Sequence, residues 1–114
     1  MLIQDEVKEF LSQFEIGKYL TTKQIKQGVR IKYGRNEGSV IPSDYCYNIT
    51  NLDRNVGYFK KGYPRLLEQK RIGKYMYLGE NYKYTGTITH KGKVVGKWEN
   101  GEYTFIKELV RDLP

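Results

Sequence analysis

A chain of 114 residues, 39% of them hydrophobic and without a low-complexity run, reads as one ordinary globular domain spanning residues 1–114. A single cysteine, Cys46, and a single histidine, His90, exclude an intramolecular disulfide and a four-ligand structural zinc site. The formal net charge of +7 is uneven: residues 1–15 set one basic against four acidic groups and residues 99–114 two against four, so residues 16–98 hold +12.

Residues 4–14 have the spacing of an amphipathic helix, because Val7, Phe10, Leu11 and Phe14 fall on one stripe and Asp5 and Glu6 sit where the helix dipole favours acids. Gly17 ends the segment. Thr21-Thr22-Lys23-Gln24 has the Thr-x-x-Gln spacing of a capping box, Ile25 and Val29 supply an inner face, and Gly34 is placed as the stop. Residues 35–39 form a polar connector. Pro42 then pushes Ile41 into an extended conformation, and Ser43 or Asp44 can cap a third helix over 43–55, with Tyr45, Ile49 and Leu52 facing inward. Tyr47, Asn48, Asn51, Arg54 and Asn55 would lie on its other side. Asparagine side chains compete with helical backbone bonds, so such a helix is either using them or is short and irregular.

From about residue 63 the pattern becomes β. Residues 65–70 and 74–78 flank a basic turn at Gly73, and residues 84–90 and 93–99 flank Lys91-Gly92. Asn100-Gly101 between two alternating runs is the preferred two-residue hairpin turn. Residues 106–113 suit a short helix or a docked tail. Three N-terminal helices followed by antiparallel hairpins predict an α+β, winged-helix-like domain, with helices two and three as a helix-turn-helix and a hairpin as the wing.

Enzyme signatures are sparse, and no catalytic residue, metal site or cofactor is expected. No serine elbow, phosphate loop or dinucleotide fingerprint occurs. Cys46 between two tyrosines reads as a buried apolar residue, and His90 as a solvated turn residue. Glu68-Gln69-Lys70 resembles the acid-x-lysine strand of metal-dependent nucleases, for which Asp53 is the candidate second acid. A three-residue match is common by chance, and a solvated strand pair is the simpler reading. The first residues lack the basic and apolar regions of a leader, and no apolar stretch approaches the ~20 residues of a membrane span, so a cytoplasmic protein without membrane contact is expected.

The binding case is stronger. A concentrated basic segment attracts polyanions and releases their counterions. On the third helix, Ser43, Asp44, Tyr47, Asn48 and Asn51 would read base edges, since asparagine can bond adenine bidentately. Lys23, Lys26, Arg30 and Arg35 would contact phosphates, with Lys60, Lys61, Arg65, Lys70, Arg71 and Lys74 forming a second basic ridge. The eleven tyrosines offer another mode: basic strands interleaved with aromatics, as in Lys74-Tyr75-Met76-Tyr77 and Tyr82-Lys83-Tyr84, suit a single-strand stacking platform.

Val40-Ile41-Pro42-Ser43-Asp44-Tyr45-Cys46-Tyr47-Asn48, with Tyr63-Pro64-Arg65-Leu66-Leu67-Glu68 and Gly73-Lys74-Tyr75-Met76-Tyr77-Leu78-Gly79, resembles small winged-helix-like modules of bacteria and phages associated with restriction-type nucleases. The resemblance covers about residues 20–105 and implies a DNA-reading accessory module from a defence system or mobile element, with residues 43–51 as the reading segment. Duplex DNA is thus the expected ligand, with single-stranded DNA, a homodimer, or a protein partner that the chain binds and modulates as alternatives.

Overall fold

The computed structural model describes residues 1–51 and 59–106. Its elements are α1 (Ile3–Leu11), β1 (Tyr19–Thr21), α2 (Thr22–Tyr33), β2 (Leu67–Arg71), β3 (Lys74–Tyr77), β4 (Gly86–His90), β5 (Lys93–Glu99) and β6 (Glu102–Phe105), with 3-10 turns at Glu37–Ser39 and Pro42–Tyr45.

Both expected N-terminal helices form, α2 between its predicted caps and α1 shorter than expected, ending at Leu11 with Phe14 beyond it in a turn. Val7, Phe10 and Leu11 bury the stripe of α1 against Ile25 and Val29 of α2. The capping box of α2 is complete: the Gln24 amide donates to Thr21 Oγ1 at 3.1 Å and the Thr21 amide to Gln24 Oε1 at 2.8 Å. Gly34 closes the helix in the left-handed region at φ 71°. Gly28 is there for space, since a Cβ on it would lie 2.1 Å from the Phe10 ring, and the helices approach closely at that point. Arg35 then ties the end of α2 to α1 with two bonds of 2.9 Å onto the carboxylate of Glu6.

Two antiparallel sheets follow, one in the order β1-β3-β2 and the other β4-β5-β6. The first sheet packs Leu67, Tyr75 and Tyr77 against the helices in one core. The second core gathers Tyr47, Leu78, Tyr84, Ile88, Val95 and Trp98. Asn100-Gly101 turns β5 into β6 with φ of 50° and 87°, as its sequence requires, and sets Trp98 opposite Tyr103.

Among the described residues no third helix forms over 43–51, and two helices with two three-stranded sheets replace the expected winged-helix arrangement of three helices and a hairpin. After the turn at Pro42–Tyr45, the chain runs extended between the two sheets as a strap. Cys46 bridges Leu67 and Ile49 bridges Thr89, both parallel. The Tyr47 amide donates to Leu67 O at 2.8 Å and the Leu66 amide to Tyr45 O at 2.7 Å, while the Thr50 and Thr89 amides bond Thr89 O and Asn48 O at 3.0 Å. These backbone groups therefore go to strands, leaving none for a helical ladder. Tyr45 and Cys46 enter the first core whereas Tyr47 enters the second, a division that one helical face cannot make. The rest of the expected helix, from Leu52, and the expected tail from Lys107 lie outside the described residues.

Candidate nucleic-acid interface

The strap residues expected to read bases hold the two sheets together. Asn48 imitates a strand neighbour, its Nδ2 donating to Gln69 O and its Oδ1 accepting from the Gln69 amide, both at 2.9 Å. Tyr47 is 1% exposed; its hydroxyl donates to Gly79 O at 2.6 Å and accepts from the Tyr82 amide at 3.0 Å. Asn51 is exposed but donates to Ser43 Oγ at 2.7 Å and Asp44 Oδ1 at 2.9 Å. Asp44 is buried and paired with Lys60 at 3.3 Å. Ser43 and Asn51 still line a groove between the turn at Ile72-Gly73 and that at Lys91-Gly92.

The basic residues divide in the same way. Arg35 is held by Glu6, Arg30 by Glu37 at 2.7 Å, Lys70 by Glu68 at 2.9 Å, and Lys26 donates to Glu37 O at 3.0 Å. Lys74 lies over the Tyr19 ring at 4.8 Å. Lys23 and Arg71 are exposed on α2 and β2, and Lys61 is exposed beside Gly62. Arg65 is spent on the fold: it donates to Cys46 O, Asp44 O and Tyr63 O at 2.8, 2.6 and 2.9 Å and stacks over Phe59 at 4.4 Å. Burial lowers its pKa, because the charge has left water for carbonyl partners.

What the structure does assemble is an aromatic cleft of two lobes. One, of about 500 Å³, has the buried rings of Tyr47 and Trp98 at its base and Tyr63, Tyr82 and Tyr103 at its rim. The other, of about 510 Å³, is lined by Phe59, Lys60, Lys61 and Gly62, and the two share Tyr63, Arg65 and Tyr103. Tyr82 is 41% exposed and Tyr103 49%, so each keeps a ring surface in water. The base is closely packed: Trp98 lies 5.0 Å from Tyr47 and 4.8 Å from Tyr103 between ring centroids, and its Nε1 donates to Tyr47 O at 2.7 Å. Lys60 lies 4.5 Å from the Tyr63 ring centroid; burial opposes its charge, but the Asp44 carboxylate and Tyr63 together outweigh this and raise its pKa.

Of the tyrosines expected to form a stacking platform, Tyr75 and Tyr77 are in the first core and Tyr84 in the second; Tyr82 alone reaches the cleft. Tyr103 carried a legible signal, because the Asn-Gly turn fixes it across from Trp98. Tyr63 and Glu80 had none, since loops bring them in.

The groups considered for catalysis have structural partners. The Glu68 carboxylate accepts from Lys70 and from the Tyr84 hydroxyl at 2.6 Å; Asp53 lies outside the described residues. Cys46 is fully buried, which pushes its thiol pKa up. His90 is half-buried with Nδ1 2.9 Å from Thr50 O, so that nitrogen carries the proton. No helix among the described residues is long and apolar enough to cross a membrane.

The fold is thus a helix pair on one small sheet, strapped to a second sheet that carries an aromatic cleft. The chain belongs to the family described as a domain of unknown function, DUF7225, whose model matches residues 2–105. It is 36% identical over 107 residues to the uncharacterized protein YnaC of Bacillus subtilis (strain 168), a match covering 89% of this chain and 38% of that protein. The chain therefore spans well under half the length of this curated relative. No solved structure matches it. Neither match names a ligand, a reaction, a winged helix or a restriction partner.

Proposed function

We propose that the chain is a non-enzymatic nucleic-acid-binding module that takes an unpaired strand, stacking bases in the cleft of Tyr63, Tyr82 and Tyr103. The observation that carries this reading is the pairing of half-exposed rings over a closely packed base with Lys60 and Lys61 in the adjoining lobe. Base–aromatic stacking and lysine–phosphate attraction are the two components of single-strand binding. A cleft with aromatic walls suits a flat ring inserted edge-first, which a base pair in a duplex cannot do without unstacking. Residues 43–51, expected to read duplex base edges, form a 3-10 turn and an extended strap, which favours the single strand.

The test is a salt-dependent titration against matched single-stranded and duplex DNA, with an RNA of the same sequence as a third arm. Single strands are expected to bind at least tenfold more tightly than the duplex, with affinity falling as salt rises. Preference for the duplex, or no binding at low salt, contradicts the proposal.

A further inference from the structure

The apex of the β2–β3 hairpin differs from the other described hairpin turns. Those carry Lys91-Gly92 and Asn100-Gly101 at their centres, a polar residue before glycine, whereas β2 turns into β3 through Ile72-Gly73. Turn centres favour polar residues because they lie in water. Ile72 is 94% exposed, more than any other large apolar residue described. Its side chain therefore adds nothing to either core, and substituting it leaves the fold intact.

Cations surround this apex. Arg71 pairs with Lys74 across the turn, so their side chains share one face of the sheet, and Lys74 lies over the ring of Tyr19, itself 47% exposed. Lys23 is exposed next to Thr22, whose amide donates to Gly73 O at 3.0 Å. The hairpin's one carboxylate, Glu68, accepts from Lys70 and from the Tyr84 hydroxyl, and no carboxylate lines the groove beside the turn.

An apolar point in a basic surround fits a polyanion. One isoleucine buries on the order of 100 Å², far below the ~800 Å² per partner of a stable protein interface and less than the acyl chain that attaches a protein only marginally to a membrane. A wedge between base steps needs only one such side chain, with cations beside it for the phosphates. Opening a base step costs least where the stack already ends, at the boundary between a duplex and a single strand.

We propose that Ile72 is a wedge that packs on the last base pair of a duplex where it opens into a single strand, with Arg71 and Lys74 on the phosphates. This rests on the nucleic-acid reading above but uses none of the cleft residues. Lys74 and Tyr82 are joined by at most ~30 Å of extended chain, so one overhang can reach the cleft from the wedge.

The experiment titrates the full chain with a duplex carrying an oligothymidylate overhang and with the same oligothymidylate alone. An aminopurine in the last base pair of the duplex reports its unstacking. The overhang duplex is expected to bind roughly tenfold more tightly than the oligothymidylate, as burial of one isoleucine allows, with a rise in aminopurine emission. Ile72→Ala should abolish both the advantage and the rise while leaving affinity for oligothymidylate unchanged, and Ile72→Phe, which keeps an apolar wedge, should retain both. Equal affinity for the two DNAs, or an advantage that survives Ile72→Ala, overturns the wedge and leaves the cleft in place. Oligothymidylate that fails to bind removes the single-strand reading, and the wedge then stands or falls on whether Ile72→Ala weakens binding to the overhang duplex. Vesicles of anionic phospholipid form a further arm: binding there that Ile72→Ala removes, with DNA binding untouched, makes the apex a membrane contact and overturns the wedge.

Discussion

Replacing Tyr103 by leucine separates stacking from charge. The ring is 49% exposed and lies on β6 within 5.1 Å of Phe59 and 5.7 Å of Phe105 between centroids. Its buried half, on the order of 100 Å² at ~25 cal/mol per Å², contributes about 2.5 kcal/mol to packing. Leucine keeps most of that apolar contact, so Tyr103→Leu should cost no more than ~1.5 kcal/mol of stability by urea denaturation. The aromatic face is lost altogether. Stacking is worth ~1–3 kcal/mol per base, which predicts affinity for single-stranded DNA weakened by roughly 5- to 150-fold. No phosphate contact changes, so the slope of log K against log salt should stay as it is in the unsubstituted chain. Fluorescence anisotropy with a labelled oligothymidylate at four salt concentrations measures both quantities. A folded Tyr103→Leu chain that binds like the original, or one whose salt slope falls along with its affinity, refutes the reasoning.

The opposite pattern is expected for Lys61→Gln: a modest loss of affinity and a salt slope reduced by ~0.7, the share of one single-strand phosphate contact; an unchanged slope removes Lys61 from the path. Tyr47→Phe deletes a buried hydroxyl and leaves Gly79 O and the Tyr82 amide without it, so stability should fall by ~1–3 kcal/mol in urea denaturation; a neutral result shows the joint between strap and cleft is not held there. Acid dependence tests the tie between α1 and the end of α2. The hydrogen bond from Arg35 lowers the Glu6 pKa below its ordinary 4.5, so the pair's stabilisation is present above that value and is lost as pH falls through the lowered one. The stability gap between the unsubstituted chain and Glu6→Gln should therefore be open at pH 7 and close at strongly acid pH; a gap independent of pH contradicts the pairing.

Local signals carried the parts of the fold that local chemistry decides. The Thr21 and Gln24 capping box, the stop at Gly34 and the Asn100-Gly101 turn each fix their own backbone within a few residues, and all are in place. The third helix was expected from a start signal at Pro42-Ser43-Asp44 and one spacing, Tyr45, Ile49 and Leu52, against three asparagines, and residues 43–51 do not form it. Long-range pairing with Leu67 and Thr89 decided that segment, and a helical period contains no information about strands 21 and 40 residues away. The three-residue β1 was missed for the same reason, since it exists by pairing with β3. For the site, charge was visible and its use was not. Arg65, Arg35 and Lys70 are as basic as Lys61 in sequence, yet carbonyls and carboxylates already occupy them. The cleft residues come from the loops at 59–65 and 80–82 and from the β5–β6 hairpin, which only the folded chain brings together.

The central claim is that an unpaired strand lies in the cleft of Tyr63, Tyr82 and Tyr103. Titrating oligothymidylate into the isotope-labelled chain while following backbone amide resonances tests it residue by residue. The account predicts that the largest shifts fall at residues 60–65, 80–82 and 101–103, with the Trp98 indole N–H moving alongside them. Shifts confined to α2 and the Lys70–Lys74 turn, with the cleft unmoved, would place the strand elsewhere and contradict it.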